Sequence, residues 1–141
     1  MSAVGPIIYI DDDEDDHEIF LKVISDLRVP NAVIGFTTCQ EAFDYLKATT
    51  EQPFIIICDV NIPVQSGIEL KIEIDADDQL REKSIPFIFY STSVDQRFVN
   101  LAYTQMTVQG YFRKENNYQD VKEVINSIVN YWKQCRHPNT V

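Results

Sequence analysis

Carboxylates follow directly on two apolar stretches that have the length and composition of buried strands. Residues 11–16 form an acidic run, DDDEDD, after the stretch 7–10, and Asp59 follows the stretch 54–58. If the two strands are neighbours in a parallel sheet, their acidic ends meet at one edge. Two unit charges about 4 Å apart repel by about 4 kcal/mol at an effective dielectric near 20. Such a cluster needs a cation, and hard carboxylate oxygens suit Mg²⁺.

The acidic run also admits two simpler interpretations. Acidic residues in the first turn of a helix interact favourably with its dipole, which accounts for residues 13–16. This explains Asp11 and Asp12 less well, because both directly continue a strand. An EF-hand loop starting at Asp11 would have Asp16 at its sixth position, where glycine is required, and Lys22 at its twelfth, where glutamate is required. The EF-hand interpretation is therefore excluded.

Composition and charge limit the class of protein. The chain has 141 residues, of which 45% are hydrophobic, and this fits one globular domain. We expect one domain over residues 1–141, with short tails at 1–5 and from about residue 135. A formal net charge of -10 argues against direct binding of nucleic acid. No signal peptide or membrane span is predicted, so we expect a cytoplasmic protein.

Five apolar stretches of strand length alternate with segments of helical periodicity. Most of the five are continuously apolar, as expected of parallel strands covered on both faces. The predicted strands are 7–10, 32–36, 54–58, 86–90 and 107–112. The predicted helices are one ending before Pro30, one around 42–46, one capped by Ser66, one around 94–102 and one over 118–132. This alternation predicts a doubly wound α/β fold with helices on both faces of the sheet.

Ligands on such a sheet bind beyond the carboxyl ends of the strands. Polar residues lie there after the first, third, fourth and fifth strands: Asp11, Asp12, Asp59, Ser91, Thr92 and Lys114. A hydroxyl and an ammonium near a metal ion would contact the phosphoryl oxygens that the metal leaves uncovered. The set indicates phosphoryl transfer to a carboxylate.

The sequence resembles the receiver domain of two-component response regulators from about residue 6 to residue 132. Four signatures match in order: the strand with its acidic pair at 6–13, the phosphoacceptor strand with its DxNxPxxxG loop at 55–67, the strand with a switch hydroxyl at 86–93, and the strand ending in lysine at 110–114. The resemblance implies a flavodoxin-like receiver fold with five parallel strands in the order 2-1-3-4-5.

The resemblance also implies a role for each residue of the acidic site. Asp59 would be the phosphoacceptor and a metal ligand. Asp12 would bind Mg²⁺ (or Mn²⁺) directly, Asp11 largely through water, and Asn61 through its backbone carbonyl. Lys114 would bridge Asp59 and the phosphoryl group.

The resemblance also implies a conformational switch that responds to phosphorylation. Ser91, with Thr92 beside it, would move toward the phosphoryl oxygens, and Tyr111 would then repack the face formed by the fourth predicted helix and the last strand. Asn61 and Ser93 lie two residues beyond active-site residues, where the family tunes the lifetime of the phosphate.

The implied partners are proteins. The phosphodonor would be a histidine kinase or a histidine phosphotransfer protein, and the output a protein target that recognises the changed surface. A protein of this kind is not an enzyme, apart from promoting its own phosphorylation and dephosphorylation, and it binds neither nucleic acid directly nor a membrane. The chain would be a single-domain regulator, and a phosphorylation-dependent homodimer is left open.

One position departs from the family pattern. The family usually places proline after the lysine, joined by a cis bond, whereas Glu115 follows Lys114 here. A cis bond without proline costs about 3 to 4 kcal/mol, so the loop geometry is expected to differ. Glu115 also offers Lys114 a competing partner.

Two alternative functions stay open. A haloacid-dehalogenase-type phosphatase would use Asp11 as nucleophile and Asp13 as general acid, but it leaves Asp59 and its loop unexplained. A receiver-like interaction module that is never phosphorylated would keep the fold without the chemistry. Neither histidine is assigned a role, and we expect His17 to be exposed or to face a partner.

Overall fold

The structure is a computed structural model and describes residues 2–92, 95–106 and 108–137. In these ranges strands and helices alternate, except that two helices follow the third strand. The strands are β1 (Ile7–Ile10), β2 (Val33–Phe36), β3 (Ile55–Cys58), β4 (Phe87–Ser91) and β5 (Gly110–Arg113). The helices are α1 (Glu14–Asp26), α2 (Cys39–Ala48), α3 (Gly67–Ala76), α4 (Asp78–Lys83), α5 (Gln96–Gln105) and α6 (Tyr118–Gln134). None of these helices is long and apolar enough to span a bilayer.

All strands belong to one parallel sheet in the order β2-β1-β3-β4-β5. The predicted doubly wound class and the predicted strand order are both confirmed. β1 and β3 are neighbours, and Ile10 at the end of β1 lies opposite Cys58 at the end of β3. Asp11 and Asp59 therefore leave the sheet at the same level. Ligands bind at this point of a doubly wound sheet, where successive crossovers change direction.

Helices cover both faces of the sheet. Alternate strand residues point to opposite faces, so Ile8 and Ile56 pack in the layer that contains α2, α3, α4 and α5. Ile7 and Ile57 pack in the opposite layer, with α1 and α6. All four isoleucines are at most 1% exposed, and burying such a side chain contributes about 1.5 to 3 kcal/mol. The two apolar layers fix the central strands and hence the positions of their ends.

The third predicted helix corresponds to α3, and a second, short helix, α4, follows it directly. Asp77 has an extended backbone that ends α3, and its side chain accepts a hydrogen bond from the Leu80 amide at 3.0 Å in the first turn of α4. Lys47 on α2 forms an ion pair with the other carboxylate oxygen of Asp77 at 2.8 Å. Asp77 is therefore both a stop for one helix and the N-cap of the next. The helix predicted after Ser66 is α3, and the short helix α4 was not predicted, because apolar periodicity does not reveal such a cap.

The other boundaries differ only slightly from prediction. Ser66 caps α3, since its hydroxyl accepts a hydrogen bond from the Glu69 amide at 3.1 Å. β5 begins at Gly110, later than predicted, and Thr107 lies outside the described residues, as does Val94 in the predicted fourth helix.

The loop from β3 to α3 folds back onto the end of β3. The Gly67 amide donates to the Val60 carbonyl at 3.0 Å. A Cβ built on Gly67 would lie 2.2 Å from the Asp59 carbonyl oxygen and 3.0 Å from the Cys58 sulfur. The absence of a side chain at Gly67 therefore permits the close approach that fixes the backbone of Asp59.

Substitution of Gly67 by alanine tests this contact. Gly67→Ala should lower the free energy of unfolding by about 1 to 3 kcal/mol, because the added methyl group must displace the backbone at Asp59. A denaturant titration measures the loss. Gly110→Ala is the matched control, since the nearest atom there belongs to the ring of Phe112 at 2.9 Å, which can turn aside. Equal losses in the two variants would contradict this account.

Candidate functional site

The carboxylates that follow β1 and β3 converge at the edge of the sheet. The Asp11 amide donates to the Phe36 carbonyl at 3.0 Å, and the Asp59 amide donates to the Ile10 carbonyl at 2.9 Å. Both residues are thus fixed by the hydrogen bonding of the sheet. Carboxylate oxygens of Asp11, Asp12 and Asp59 lie within 4.8 Å of one another, close enough to hold one metal ion. Asp11 is only 1% exposed, whereas Asp12 is exposed to solvent.

Lys114 brings a positive charge to this cluster from the end of β5. Its amide donates to the Ser91 carbonyl at 2.9 Å, which fixes its backbone. Its Nζ atom lies 2.5 Å from Asp11 Oδ2, 2.8 Å from Asp16 Oδ2 and 2.9 Å from Asp59 Oδ2. An ammonium has three hydrogen-bond donors, so these three carboxylates use its full capacity.

The pKa shifts at the site show how strongly these charges interact. Burial lowers the pKa of Lys114, but its hydrogen bonds to Asp11 and Asp16 outweigh burial and raise the pKa above its usual value. Burial raises the pKa of Asp11, against the opposing hydrogen bonds from Lys114 and the Asp13 amide. The Asp11 carboxylate is therefore not fully compensated by the single ammonium. A second cation would find a favourable position here.

Tyr9 and His17 support Asp11 and were missed by the sequence prediction. The Tyr9 hydroxyl donates to Asp11 Oδ2 at 3.1 Å, and its ring stacks on Phe20 with a centroid distance of 4.2 Å. His17 Nε2 lies 2.7 Å from the Asp11 carbonyl oxygen, and its ring packs edge-on against Tyr9. His17 is half-buried, so the expectation that it would be exposed or face a partner was wrong.

Sequence patterns contained part of this information. Tyr9 and Asp11 are two residues apart, so their side chains point to the same face of a strand. A buried tyrosine usually needs a partner for its hydroxyl. The glycine at position 35 in β2 was a further sequence signal, since a glycine within a strand often marks a close approach of another group. In the structure, a Cβ at Gly35 would lie 2.8 Å from His17 Nδ1. The imidazole occupies the space that Gly35 leaves.

The predicted switch residues lie around the same edge of the sheet. Ser91 is fully buried at the end of β4, and Thr92 follows it at the surface. Tyr111 on β5 is half-buried against the ring of Phe89, with a centroid distance of 5.7 Å. Ser93 lies outside the described residues. The movements assigned to these side chains stay predictions.

Asn61 and Asp13 flank the cluster. The Asn61 amide donates to Asp59 Oδ1 at 3.2 Å, while its side chain is exposed. Asp13 is the N-cap of α1, because its side chain accepts a hydrogen bond from the Asp15 amide at 2.9 Å. Asp13 therefore has a structural role in the helix, and metal binding through the Asn61 carbonyl stays a prediction.

Glu115 does not take Lys114 away from the site. The ion pairs of Lys114 among the described residues are those with Asp11, Asp16 and Asp59. The third carboxylate that contacts the Lys114 ammonium is thus that of Asp16. The expected competition of Glu115 with Asp59 for this ammonium is not found. The bond between Lys114 and Glu115 is trans, like every peptide bond that the structure describes.

A sequence model of the response regulator receiver domain matches residues 7–126 of the chain. The chain belongs to this family. The match confirms the resemblance on which the predicted site was based. It includes β1 to β5 and most of α6, so the whole acidic cluster and Lys114 lie within the receiver domain.

The relatives of this chain include response regulators of similar length. The receiver domain is 24% identical to response regulator Rcp1 from Synechocystis sp. over 131 residues, which covers 89% of this chain and 87% of Rcp1. Its structure is similar to that of the phosphorylated cyanobacterial phytochrome response regulator RcpA, with a TM-score of 0.84, 25% identity and coverage of 96% and 99% of the two chains. The Mn²⁺-bound form of Rcp1 has a TM-score of 0.80, 22% identity and coverage of 94% and 97%.

Removal of the Lys114 ammonium should destabilise the receiver domain when no divalent cation is present. Lys114→Met should lower the free energy of unfolding by about 3 kcal/mol near pH 7, because Asp11 and Asp59 lose their positive partner. The loss should shrink as the pH falls toward about 4. Without the ammonium, the pKa of the buried Asp11 carboxyl group is higher in the folded variant than in its unfolded chain, so protonation of Asp11 at low pH favours the folded form.

Denaturant titrations in the presence of a chelator, at several pH values, measure this dependence. Lys122→Met on α6 is the matched control, because Lys122 has no ionic partner among the described residues. A loss for Lys114→Met that is independent of pH would show that the ammonium is not held by charge.

Proposed function

We propose that this receiver domain accepts a phosphoryl group on Asp59 from a phosphohistidine, in a reaction that requires Mg²⁺ or Mn²⁺. The observation that carries the proposal is the position of Asp59. Its carboxylate lies with Asp11 and Asp12 in one cluster and within 2.9 Å of Lys114 Nζ. A nucleophilic carboxylate, two further anionic ligands and an ammonium are the components that phosphoryl transfer to aspartate needs.

The donor atoms of the cluster fit a hard divalent cation. Asp12 is exposed and would bind the ion directly, Asp11 would contribute largely through water, and Asn61 would add its backbone carbonyl. Mg²⁺ prefers oxygen ligands and keeps several waters, which agrees with an open site supplied by few carboxylates. The relative Rcp1 has been solved in a Mn²⁺-bound form, and this supports Mn²⁺ as a substitute. When bound, the ion would neutralise charge on the phosphoryl oxygens.

Nucleophilic attack and the other contacts with the phosphoryl group are provided by side chains of this domain. An oxygen of Asp59 attacks the phosphorus of the donor phosphohistidine as the P–N bond breaks, and the donor imidazole, protonated on its other nitrogen, leaves as a neutral histidine. Lys114 moves from the Asp59 carboxylate to a phosphoryl oxygen. Ser91, with Thr92 next to it, supplies a hydroxyl to the same group. The transition state of such transfers is loose, so positioning and charge stabilisation provide most of the catalysis. Tyr9 and the backbone contacts of Asp11 keep the anionic cluster in place.

The signal would be a changed protein surface. Movement of Ser91 toward the phosphoryl group opens space at the end of β4, and Tyr111 then repacks on the face formed by α5 and β5. Asn61 and Ser93 would set how long the phosphate survives attack by water. The expected partners are a histidine kinase or phosphotransfer protein and a downstream target, and we expect no enzymatic role beyond the domain's own phosphorylation cycle.

Two alternatives are weaker on this structure. A phosphatase mechanism requires Asp11 as nucleophile, but Asp11 is buried, and its two oxygens accept hydrogen bonds from Tyr9, Lys114 and the Asp13 amide. Its general acid would be Asp13, which caps α1 instead. A module that is never phosphorylated would not need the convergence of Asp59, Asp12 and Lys114.

Labelling by a small phosphodonor tests the proposal. The unmodified receiver domain should be phosphorylated by phosphoramidate in the presence of Mg²⁺, and Asp59→Asn should abolish labelling, because no nucleophile remains. Asp11→Asn should slow labelling, but the phosphoryl group should still be found on Asp59. Mass spectrometry locates the phosphoryl group. Asp44→Asn, which removes an exposed carboxylate on α2, should be labelled like the unmodified domain.

Each alternative predicts a different result. Label on Asp11 would support the phosphatase and contradict the assignment of Asp59. Absence of label from the unmodified domain, with the divalent cation bound, would support the interaction module.

A further inference from the structure

Three carboxylates among the described residues contact Lys114, and the proposed chemistry uses those of Asp11 and Asp59 but not that of Asp16. Asp16 lies in the first turn of α1, its side chain is 30% exposed, and its Oδ2 atom is 2.8 Å from Lys114 Nζ. Asp11 and Asp59 belong to the carboxylate cluster that could hold a metal ion, whereas Asp16 does not. The contact between Asp16 and Lys114 therefore does not compete with metal binding.

We propose that Asp16 is a positioning residue that holds the Lys114 ammonium beside Asp59 throughout the phosphorylation cycle. This assignment rests on the proposed phosphorylation of Asp59. It gives a function to a residue for which the sequence predicted only a favourable charge at a helix N-terminus.

The need for such an anchor follows from what happens to the other two partners of Lys114. Asp59 receives the phosphoryl group and can no longer offer a free carboxylate. Asp11 lies in the carboxylate cluster that would hold the divalent cation, so its charge would be shared with the ion when the ion is bound. Only Asp16 keeps its charge and its position, so Lys114 can pass from Asp59 to a phosphoryl oxygen by a small movement. A lysine side chain without this contact has many rotamers and would have to be ordered in the transition state.

The structure holds Asp16 firmly enough for this role. Asp13 caps α1 and so orders its first turn. His17, the next residue after Asp16, lies with Nε2 2.7 Å from the Asp11 carbonyl oxygen and thereby joins the first turn of α1 to the end of β1. Phe20, one turn further, stacks on Tyr9 in β1. Asp16 is thus fixed relative to Asp11, which is itself fixed by the sheet.

The chain provides a closely matched control in Asp15. Asp15 lies in the same helical turn and carries the same charge. It is exposed, and its side chain has no ionic partner among the described residues. Asp15→Asn and Asp16→Asn therefore change the net charge and the helix dipole interaction equally, and only Asp16→Asn removes the contact with Lys114.

Two measurements test the assignment. The first is the rate of labelling by phosphoramidate with Mg²⁺. Asp16→Asn should slow labelling by about threefold to thirtyfold, as expected for the loss of a coupled contact, while Asp15→Asn should stay within about twofold of the unmodified domain. Asp16→Glu should recover part of the rate, because it restores the carboxylate.

The second measurement observes Lys114 directly and does not depend on phosphorylation. In ¹⁵N-lysine NMR spectra of the folded domain, the ammonium signal of Lys114, assigned with Lys114→Met, should shift and broaden in Asp16→Asn and stay unchanged in Asp15→Asn. This change should also be seen in the beryllofluoride-loaded domain, where Asp59 is already occupied.

The outcomes separate the two proposals. Normal labelling of the unmodified domain, with equal rates for Asp16→Asn and Asp15→Asn, would overturn the role of Asp16 and leave the phosphorylation of Asp59 intact. An unchanged Lys114 ammonium signal in Asp16→Asn would overturn it as well. A domain that takes no label at all would overturn the proposed function and this assignment together.

Discussion

Electrostatic repulsion among carboxylates at the end of the sheet is the constraint on which the site depends. β1 and β3 are adjacent and in register, so Asp11 and Asp59 leave them side by side, and Asp12 lies close to both. Lys114 provides one positive charge to three carboxylates, those of Asp11, Asp16 and Asp59. The site therefore keeps an excess of negative charge, and burial raises the pKa of Asp11. A divalent cation would remove this excess, and a phosphoryl group could then be accommodated.

The fold maintains this unfavourable arrangement through apolar packing on both faces of the sheet. The central strands carry isoleucine and phenylalanine side chains into two separate layers, and this packing outweighs the local repulsion. Closer to the site, Gly67 lets the loop after β3 press against the Asp59 backbone. Tyr9 and His17 contact the side chain and carbonyl of Asp11, respectively. The acids are thus held by their surroundings before any ligand arrives.

Much of this could be predicted from sequence because the signals are local and repeated. Continuous apolar stretches identified the strands, and polar residues at their ends identified the functional edge. Side-chain partners across the fold could not be predicted in the same way. Asp16 and His17 lie in the first turns of α1, where the helix dipole alone accounted for the acidic residues in the sequence. Their contacts depend on how α1 packs against β1, which the sequence does not show. Asp77 caps α4 through its own side chain, which hydrophobic periodicity does not detect, so this short helix was not predicted.

The departure from the family pattern at Glu115 shows the same limit. Sequence proximity suggested that its carboxylate would compete for Lys114, but the structure places Asp16 in that position, from a segment distant in the chain. Among the described residues, the third carboxylate that contacts the Lys114 ammonium therefore comes from α1 and not from the residue that follows the lysine. The loop after β5 keeps trans peptide bonds, and Lys114 still reaches Asp59.

The chemistry proposed for Asp59 requires that Asp11, Asp12 and Asp59 together bind one divalent cation. Crystals grown without metal and then soaked in Mn²⁺ would locate the ion by its anomalous scattering. We expect one strong peak in the cluster, coordinated by Asp12 and Asp59, and its loss in crystals of Asp12→Asn. An ordered cluster that stays free of Mn²⁺ at millimolar concentration, or an ion bound equally well in Asp12→Asn, would contradict the account.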